Sequence, residues 1–397
     1  MTILRKVFAL ETNVFAISIT AFLILVPRSA WFVVLPLYLE DLGATTIDIG
    51  ITFALLNLVW NGLQLLGGLL ADRYSRRLLI VLPTFLLVVC YIVAGAASTW
   101  WVLALALILS DSLSALQMPS FISTIAESVS EEHRGTAFAT YMFFSNIGPV
   151  MGPLIGAALI PLYGYKPLLY VTGIACGVSG VIRFFFTHET RQRTHEEEKT
   201  SILLRVKERF LWLLIGIAFY AIAFGLTTPL TSVYAERIIG LSFVEIELMY
   251  SVAQFVATFS SFPVGKMIDK IGSKLGLMIA FLGMCLATSI WAFSPSFLVA
   301  IILLSTSYIF VTQFWISHDS LVPRIATSQT IGTTLGITNL VFGASNGFGS
   351  AVGSHLWECY GPTTPFLLAG VFGILSTLSL VKLKVPNNES FSKEKVG

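Results

Sequence analysis

Two residues of opposite charge lie inside segments that are otherwise apolar. Arg28 is in the first long apolar segment and Asp111 is in the fourth. Each lies about ten residues from the predicted outer end of its segment, which places both at a similar depth at a helical rise of about 1.5 Å per residue. A charge near the middle of a bilayer costs several kcal/mol unless it meets a partner or a wet cavity.

We therefore predict that Arg28 and Asp111 meet. Three roles follow from such a pair: Asp111 takes up and releases a proton, Arg28 attracts an anionic group of a substrate, or the two form a static structural ion pair. The first two roles make the pair a substrate- or proton-binding site.

Uncharged polar side chains recur in the apolar segments that surround this pair. Three of them, Asn57, Asn61 and Gln64, are spaced four and three residues apart and share one helical face. We predict that the whole set lines a central cavity: Asn57, Asn61, Gln64, Gln117, Asn146, Gln254, Gln313 and Asn339. For any single member, packing or a hydrogen bond between helices is the alternative.

A charged loop motif occurs twice, 197 positions apart. The first copy runs Gly68-Leu-Leu-Ala-Asp72-Arg73-Tyr-Ser-Arg76-Arg77, and the second runs Gly265-Lys-Met-Ile-Asp269-Lys270-Ile-Gly272-Ser-Lys274. We expect the two glycines to allow close helix approach. We expect Asp72 and Asp269 to accept hydrogen bonds at a neighbouring helix N-terminus, as a conformational latch that includes Arg73, Arg77 and Lys270. A purely topological role for the basic residues is the alternative.

The same offset relates further residues along most of the chain. It pairs Gly43 with Gly240, Asp48 with Glu245, Gly152 with Gly349, Gly156 with Gly353, and Gly164 with Gly361. A constant register over this length indicates two homologous halves, as in transporters that are built from repeats.

Small residues form a stripe in the fifth apolar segment. Gly148, Gly152, Pro153 and Gly156 lie in the run Gly-Pro-Val-Met-Gly-Pro-Leu-Ile-Gly-Ala. Small residues at intervals of four let a second helix pack closely, and prolines permit a bend.

A further candidate, Asp319 beside His318, lies near the inner end of the tenth segment, where it suits a gate or a helix-end contact.

The amino-acid composition indicates that this chain is embedded in a membrane. Hydrophobic residues make up 55% of the sequence and charged residues 12%, against about 25% charged in soluble proteins. Segments long enough to cross a bilayer are predicted near 12–39, 45–70, 78–98, 101–124, 136–161, 167–187, 210–235, 243–267, 275–294, 297–319, 331–356 and 364–384. We predict an all-α membrane protein with twelve transmembrane helices in two pseudo-symmetric halves, 1–187 and 210–397, and a cytoplasmic linker at 188–209.

The distribution of basic residues predicts the orientation. With the N-terminus inside, only Lys166 and Arg237 fall in external loops and Arg28 is intramembrane, so every other Lys and Arg is internal. This is a strong positive-inside bias. The external loops carry acids instead: Glu40, Asp41, Asp48, Glu236, Glu245, Glu247 and Glu358. We predict a multi-pass protein of the cell membrane with both termini cytoplasmic and no cleavable signal peptide.

Several functional classes find no support in the residues. The four cysteines have no paired spacing for metal or redox chemistry, and no catalytic set or phosphate-binding loop occurs. No enzymatic activity, cofactor or metal is expected. A basic tract with interleaved aromatic residues, which nucleic-acid binding would need, is also missing from the sequence.

The twelve spans in two related halves and the doubled loop motif resemble the major facilitator superfamily over essentially the whole chain. Ser75 stands where the first loop of that family usually has glycine, whereas the second loop keeps Gly272. The stripe in span five resembles the Gly-x-x-x-Gly-Pro-x-x-Gly motif of antiporter members, with Ala157 in place of the last glycine. Many exporters of the family carry an arginine in span four; here span four has Asp111 and the arginine is in span one.

This resemblance implies a secondary active transporter that works by alternating access. A proton-coupled antiporter that exports a small, partly apolar molecule is the first hypothesis, with a monomer in the lipid bilayer, a small-molecule substrate and protons as its partners. The alternatives are a symporter or facilitator for sugars or carboxylates, and a lipid-moving or sensor member of the fold.

Overall fold

The protein is described by a computed structural model that covers residues 11–190, 208–325 and 331–383. Its regular structure in these ranges is helical. The twelve long helices are α1 (Thr12–Phe32), α2 (Thr46–Arg73), α3 (Arg76–Ala96), α4 (Trp100–Glu127), α5 (Arg134–Tyr163), α6 (Lys166–Phe186), α7 (Glu208–Thr227), α8 (Phe243–Ile271), α9 (Ser273–Trp291), α10 (Phe297–Ile325), α11 (Ile331–Tyr360) and α12 (Thr364–Val381).

Ten of these helices are long and apolar enough to cross a membrane within the described ranges. The other two, α8 and α11, are 29 and 30 residues long but carry more polar side chains. The protein is therefore a multi-pass membrane protein. The twelve long helices correspond to the twelve predicted spans, with differences of a few residues at most ends.

Two predicted spans are interrupted close to their outer ends. After α1 the chain resumes as a short helix, Leu35–Asp41, and after α7 as Thr231–Tyr234. Pro36 and Pro229 explain both breaks, because a proline within a continuous helix has no N–H to donate and its ring clashes with the carbonyl four residues earlier.

The start of α2 is built in the same way as the start of α8. Thr45 donates its backbone N–H to Asp48 over 2.8 Å, and the Asp48 N–H returns a bond to the Thr45 hydroxyl. Ser242 and Glu245 form the same reciprocal pair, also with a first distance of 2.8 Å. These capping boxes satisfy backbone donors that a helix start leaves free, and they lie 197 residues apart.

The helix pairings are repeated as well. In the first half α1 packs against α5 and α6, and α3 packs against α4 and α6. In the second half α7 packs against α11 and α12, and α9 packs against α10 and α12. For these four pairings, the internal repeat predicted from the sequence is also a repeat of helix packing.

Two compact units can be distinguished. The first draws on residues 1–197 and also contains Pro229–Gln254, which includes the start of α8. The second draws on residues 198–228 and 255–397. Residues 191–207 of the predicted linker and most of the predicted tail lie outside the described ranges, so the boundaries 1–187, 188–209 and 210–397 stay a prediction.

Each unit has its own apolar core. In the first, Val14, Ile17, Ile80, Phe121 and Ile125 form a buried cluster. The second unit has a larger cluster in which the ring of Tyr220 stacks on Phe281 and Phe314, with centroids 4.8 and 4.5 Å away.

Candidate functional site

The predicted meeting of Arg28 and Asp111 is confirmed. The Nη2 atom of Arg28 donates to Oδ1 of Asp111 over 2.7 Å, and the two side chains are 19% and 9% exposed. Arg28 directly follows Pro27 in α1, and its guanidinium lies 5.1 Å from the ring centre of Phe32. This pair is therefore held between α1 and α4, with an aromatic ring on one side of the cation.

The pair forms part of the wall of a cavity of about 180 Å³. The other lining residues come from α1 and α2: Phe32, Phe53, Leu56, Asn57 and Trp60. Asn57 is the one predicted amide that reaches this space, and its Nδ2 atom donates to the Phe53 carbonyl over 2.9 Å. The cavity thus combines one ion pair, one amide and a largely apolar wall, which is the usual character of a small-molecule site.

A second, smaller cavity of about 80 Å³ shares Arg28 and Trp60 with the first. Its polar lining residues include Ser114, Gln117, Tyr141 and Arg183, and the remaining wall is mainly aliphatic and aromatic. The predicted residue Gln117 therefore lies close to the central pair, but its side chain is only 1% exposed.

Arg183 is a functional candidate that the sequence did not predict. Its guanidinium is bonded to three helices, with distances of 2.8 Å to the Thr20 hydroxyl, 2.7 Å to the Thr84 hydroxyl and 3.0 Å to Oε1 of Gln117. It also lies over the ring of Phe121. No carboxylate of the described chain is within ion-pair distance of it.

The topology prediction counted Arg183 among the internal basic residues that orient the chain, and the structure corrects that assignment. Arg183 is 3% exposed and is directed into the helix bundle. The lack of a nearby acid in the described chain leaves a buried positive charge beside the cavity that holds Arg28.

Other predicted cavity residues do not join this site. Asn61 is half-buried and donates to the Asn57 carbonyl, Gln64 is half-buried, and Asn146 is exposed on α5. In the second half Gln254 is half-buried and Asn339 is exposed. Gln313 is 2% exposed and donates to the Gly276 carbonyl over 2.8 Å, so it joins α10 to α9 as an interhelical hydrogen bond, which was the alternative considered.

The expectation that Gly68 and Gly265 allow close helix approach is wrong for this structure. A Cβ atom at either position would meet nothing within 4 Å. The glycine in contact is Gly67, where a Cβ atom would lie 2.6 Å from the carbonyl oxygen of Leu116 in α4. Successive helical residues point about 100° apart, so the motif glycine and its neighbour face different surroundings.

The motif aspartates are not helix caps in this structure. Asp72 and Asp269 are both exposed and neither makes a hydrogen bond or ion pair to another described residue, and Arg73 and Lys270 are exposed too. The carboxylate at the start of α3 belongs to Glu189, which accepts from the Ser75 hydroxyl and from the backbone of Arg76 and Arg77. This is the helix N-terminus interaction that was expected of Asp72.

The last basic residue of each loop has a defined contact. Arg77 donates to the Phe184 carbonyl over 2.7 Å, and Lys274 donates to the Val381 carbonyl over 3.4 Å and to the Leu383 carbonyl over 2.7 Å. Phe184 and Val381 are themselves 197 positions apart. In both halves a cation thus binds the C-terminal end of the last helix, where carbonyls are unsatisfied and the helix dipole is negative.

The two loops turn differently at the position where the family pattern has glycine. Gly272 has φ +85°, whereas Ser75 has φ −57° and accepts a hydrogen bond from the Leu78 N–H. Serine thus caps α3 with its side chain and avoids the left-handed conformation that favours glycine.

The glycine stripe in span five packs against α1, as a close-packing motif should. A Cβ atom at Gly152 would lie 2.5 Å from Cβ of Ser29, and one at Gly148 would lie 2.7 Å from Cβ of Leu25. Pro153 is buried beside them. Gly349 and Gly353 pack in the same way against α7, with carbonyl oxygens 2.4 Å from an added Cβ.

Glu247 was assigned to an external loop, and this is wrong. It lies in α8 and is 0% exposed. Its Oε1 atom is 2.7 Å from the position that a Cβ atom of Gly156 would occupy. The residue is close enough to the apparent end of the span to resemble a loop acid, but the helix continues outward to Phe243.

At the proposed inner gate, Asp319 is largely exposed. Its Oδ1 atom is 2.9 Å from Nδ1 of His318, whose Nε2 atom is 2.9 Å from the Thr338 hydroxyl of α11. His318 therefore connects α10 to α11 within the second unit, and Asp319 orients its ring. No group of three or more potential metal ligands occurs among the described residues.

Comparison with known proteins identifies the family. The family model described as Major Facilitator Superfamily matches residues 17–313 and 213–396. The chain belongs to this superfamily. It is therefore a transporter and not an enzyme, as the doubled loop and the repeat predicted.

Similar proteins within the superfamily include multidrug resistance proteins. MdtG of Proteus mirabilis is 26% identical over 278 residues, which are 65% of this chain and 69% of that protein. MdtH of Klebsiella pneumoniae is 24% identical over 363 residues, which are 88% of this chain and 89% of that protein.

The fold is also found in a solved transporter structure. A mutant form of the nucleoside transporter NupG superposes with a TM-score of 0.81 at 14% identity, over 94% of this chain and 99% of that one. At this identity the likeness concerns the fold alone.

Proposed function

We propose that this transporter is a proton-coupled antiporter that exports a small, partly apolar molecule by alternating access. The observation that carries the proposal is the Arg28–Asp111 pair in the wall of a cavity lined by Phe53 and Trp60. The similarity to multidrug resistance proteins of two kinds supports export as the direction. In this proposal the protein is a monomer of the cell membrane with both termini in the cytoplasm.

The proposed chemistry uses competition at Asp111. A substrate that places its apolar part against Phe32, Phe53 and Trp60 can donate a hydrogen bond to the Asp111 carboxylate. A proton on Asp111 turns the charged acceptor into a neutral and weaker one, and it also weakens the attraction to Arg28. Substrate and proton then exclude one another at one carboxyl group, and this exclusion is the requirement for antiport.

A second candidate function is favoured by the two arginines. Arg28 and Arg183 give the adjoining cavities more positive than negative charge, because Asp111 is the single acid that lines them in the described structure. An anionic substrate that takes Arg28 would leave Asp111 without its partner. Burial would then favour protonation of Asp111, and anion and proton would move together as in a symporter.

Transport by purified protein in lipid vesicles separates these functions. Chloramphenicol, a neutral aromatic compound with hydroxyl donors, should accumulate in vesicles with an acidic interior if the protein is an antiporter. Naphthalene sulfonate, which stays anionic, should accumulate in vesicles with an acidic exterior if it is a symporter. Accumulation of both compounds without a pH gradient would contradict proton coupling of either kind.

A matched pair of variants connects the transport assay to the site. Asp111→Asn should abolish accumulation against a gradient while exchange of labelled for unlabelled compound continues, because the amide cannot exchange a proton. Glu132→Gln, in the exposed short helix Glu131–His133 before α5, is the control for the loss of an acid elsewhere in the first unit and should leave coupling intact.

A further inference from the structure

Glu247 is a buried acid that lies outside the site described above. Glu247 is 0% exposed, and neither of its carboxyl oxygens has a hydrogen-bond partner among the described residues. No arginine or lysine of the described chain lies within ion-pair distance of it. Buried polar groups are nearly always paired, so an acid in this condition requires an explanation.

Glu247 lies where the start of α8 packs against α5. Its Oε1 atom occupies space that Gly156 leaves open, next to the carbonyl oxygen of Ala30 in α1. One helical turn further along α8, the Ser251 hydroxyl donates to the Val150 carbonyl over 2.7 Å. Residues four apart share a helical face, so Glu247 and Ser251 together form the surface that contacts α5. We call this arrangement the docked α8 start.

The groups around the docked α8 start do not supply a counter-charge. Arg237 precedes α8 and is paired with Glu40. Tyr165 is the phenol in electrostatic reach of Glu247; burial, with further contributions from Asp41 and Glu236, raises its pKa, so it stays neutral. α5 and α1 contribute a glycine, Gly156, and the backbone carbonyl of Ala30 beside it.

Aromatic packing separates this region from water. The ring of Tyr165 stacks on Tyr38 with centroids 4.3 Å apart and meets the edge of Phe243, the first residue of α8, at 6.0 Å. An ionised carboxylate without a cation, a donor or water costs several kcal/mol at such a position. The neutral acid avoids most of that cost.

We propose that Glu247 is a proton-binding site, which holds a proton while the start of α8 is docked on α5 and releases it to water when the two helices part. The step is a simple ionisation: the O–H bond of the carboxylic acid breaks and water accepts the proton. This proposal deepens the proposed function, since it adds a proton site to Asp111 and relies on alternating access, but it does not depend on the substrate.

The direction of the pH effect follows from the number of bound protons. The docked state holds one proton on Glu247, and the parted state holds none at neutral pH, because an exposed glutamate titrates near about 4.3. Falling pH therefore favours the docked state and rising pH favours the parted state. For a single proton the equilibrium changes by at most about tenfold per pH unit.

Thiol reactivity at the contact can measure this equilibrium. Ser251→Cys places a reporter at a side chain that is 3% exposed in the docked state, and Cys359→Ser removes the exposed native thiol. The reporter is compared at pH 5 to 8 with Glu247 present and with Glu247→Gln, in the purified full chain without substrate. The ratio of the two maleimide reaction rates at each pH cancels the titration of the thiol itself.

The ratio is the maleimide reaction rate with Glu247 present divided by the rate with Glu247→Gln. We expect it to be near one at pH 5 and to rise at least tenfold by pH 8, because glutamine copies the protonated acid and keeps the helix docked at every pH. Glu245→Gln is the matched control: Glu245 is two residues earlier, exposed and committed to the helix cap, so this variant should keep the pH dependence. Glu247→Leu also lacks an ionisable group, and it replaces Glu247→Gln as the reference if that variant does not fold.

A ratio that stays flat across this range would overturn the proposal, and so would an equal loss of pH dependence in Glu245→Gln. The transport assay and the thiol assay can fail independently, so a wrong proposed function can be told apart from a wrong role for Glu247. A protein that transports neither test compound can still show the rise in reactivity, and a protein that couples through Asp111 alone transports normally while the ratio is flat.

Discussion

The Arg28–Asp111 pair makes the sharpest prediction for stability. Asp111→Asn leaves Arg28 without its partner, Arg28→Gln leaves Asp111 without its partner, and the double variant removes both charges. The contact is 2.7 Å long and the side chains are 19% and 9% exposed, so the two charges are largely shielded from water while they remain at the edge of a cavity.

The magnitudes follow from this partial burial. Two unit charges about 4 Å apart attract by about 4 kcal/mol at an effective dielectric constant of about 20. Removing one partner of a buried pair costs about 3–5 kcal/mol, whereas removing both is often close to neutral. We expect each single variant to lose about 3 kcal/mol of unfolding free energy and the double variant to lose about 1–2 kcal/mol.

Denaturant unfolding of the purified variants in one detergent would give the coupling energy of this double-mutant cycle. The exposed pair Arg134–Glu131, at 3.4 Å and with side chains 46% and 87% exposed, is the control cycle, and its coupling should be below about 0.5 kcal/mol. Additive effects at Arg28 and Asp111 would refute the pairing argument. Full accumulation of substrate by the double variant would refute a coupling role for Asp111.

Three further predictions concern packing, the loop and the buried arginine. Gly67→Ala should destabilise the protein by about 1–3 kcal/mol because its new methyl group would meet the backbone of α4, whereas Gly68→Ala should change little; equal melting temperatures would contradict this contact. Glu189→Gln should lower the free energy of unfolding by about 1 kcal/mol by weakening the cap of α3, and Asp72→Asn should leave it unchanged. A larger loss in Asp72→Asn than in Glu189→Gln would show that Asp72 is the cap after all. Arg183→Lys keeps the charge but not the guanidinium geometry that bonds three helices, so it should cost at least about 1.5 kcal/mol; an unchanged denaturation midpoint would remove Arg183 as a structural centre.

The central pair could be predicted because depth alone constrains it. Charges far inside a span have few acceptable surroundings, and only residues at a similar depth can satisfy one another. Arg28 and Asp111 met both conditions, so counting residues from the span ends was sufficient. The repeat was equally accessible, since its capping residues lie at a constant offset and so do two pairs of loop glycines, Gly43 with Gly240 and Gly164 with Gly361.

Residues near the ends of spans were harder to assign. Arg183 and Glu247 both lie within a few residues of a predicted boundary, where a charge commonly reaches water and follows the positive-inside rule. Their burial depends on which helices pack beside them, and a linear sequence does not contain that information. The same reason explains the glycines of the loop: the motif marks Gly68, but helix rotation directs Gly67 towards α4.

Breaks in the repeat point to function more directly than the repeated features do. The capping boxes, the loop cations and the glycine stripes recur at an offset of 197 residues and serve the same structural purpose in both halves. At the same offset, however, Arg28 corresponds to Gly225, Asp111 to Tyr308, Arg183 to Leu380 and Glu247 to Gly50. A charge buried in an apolar bundle costs free energy, and the uncharged counterparts are evidence that the shared helix packing does not require it. We therefore propose that these four charges serve transport. On this proposal, coupling between proton and substrate should depend chiefly on the first half, which contains Arg28, Asp111 and Arg183, and on Glu247 at the start of α8.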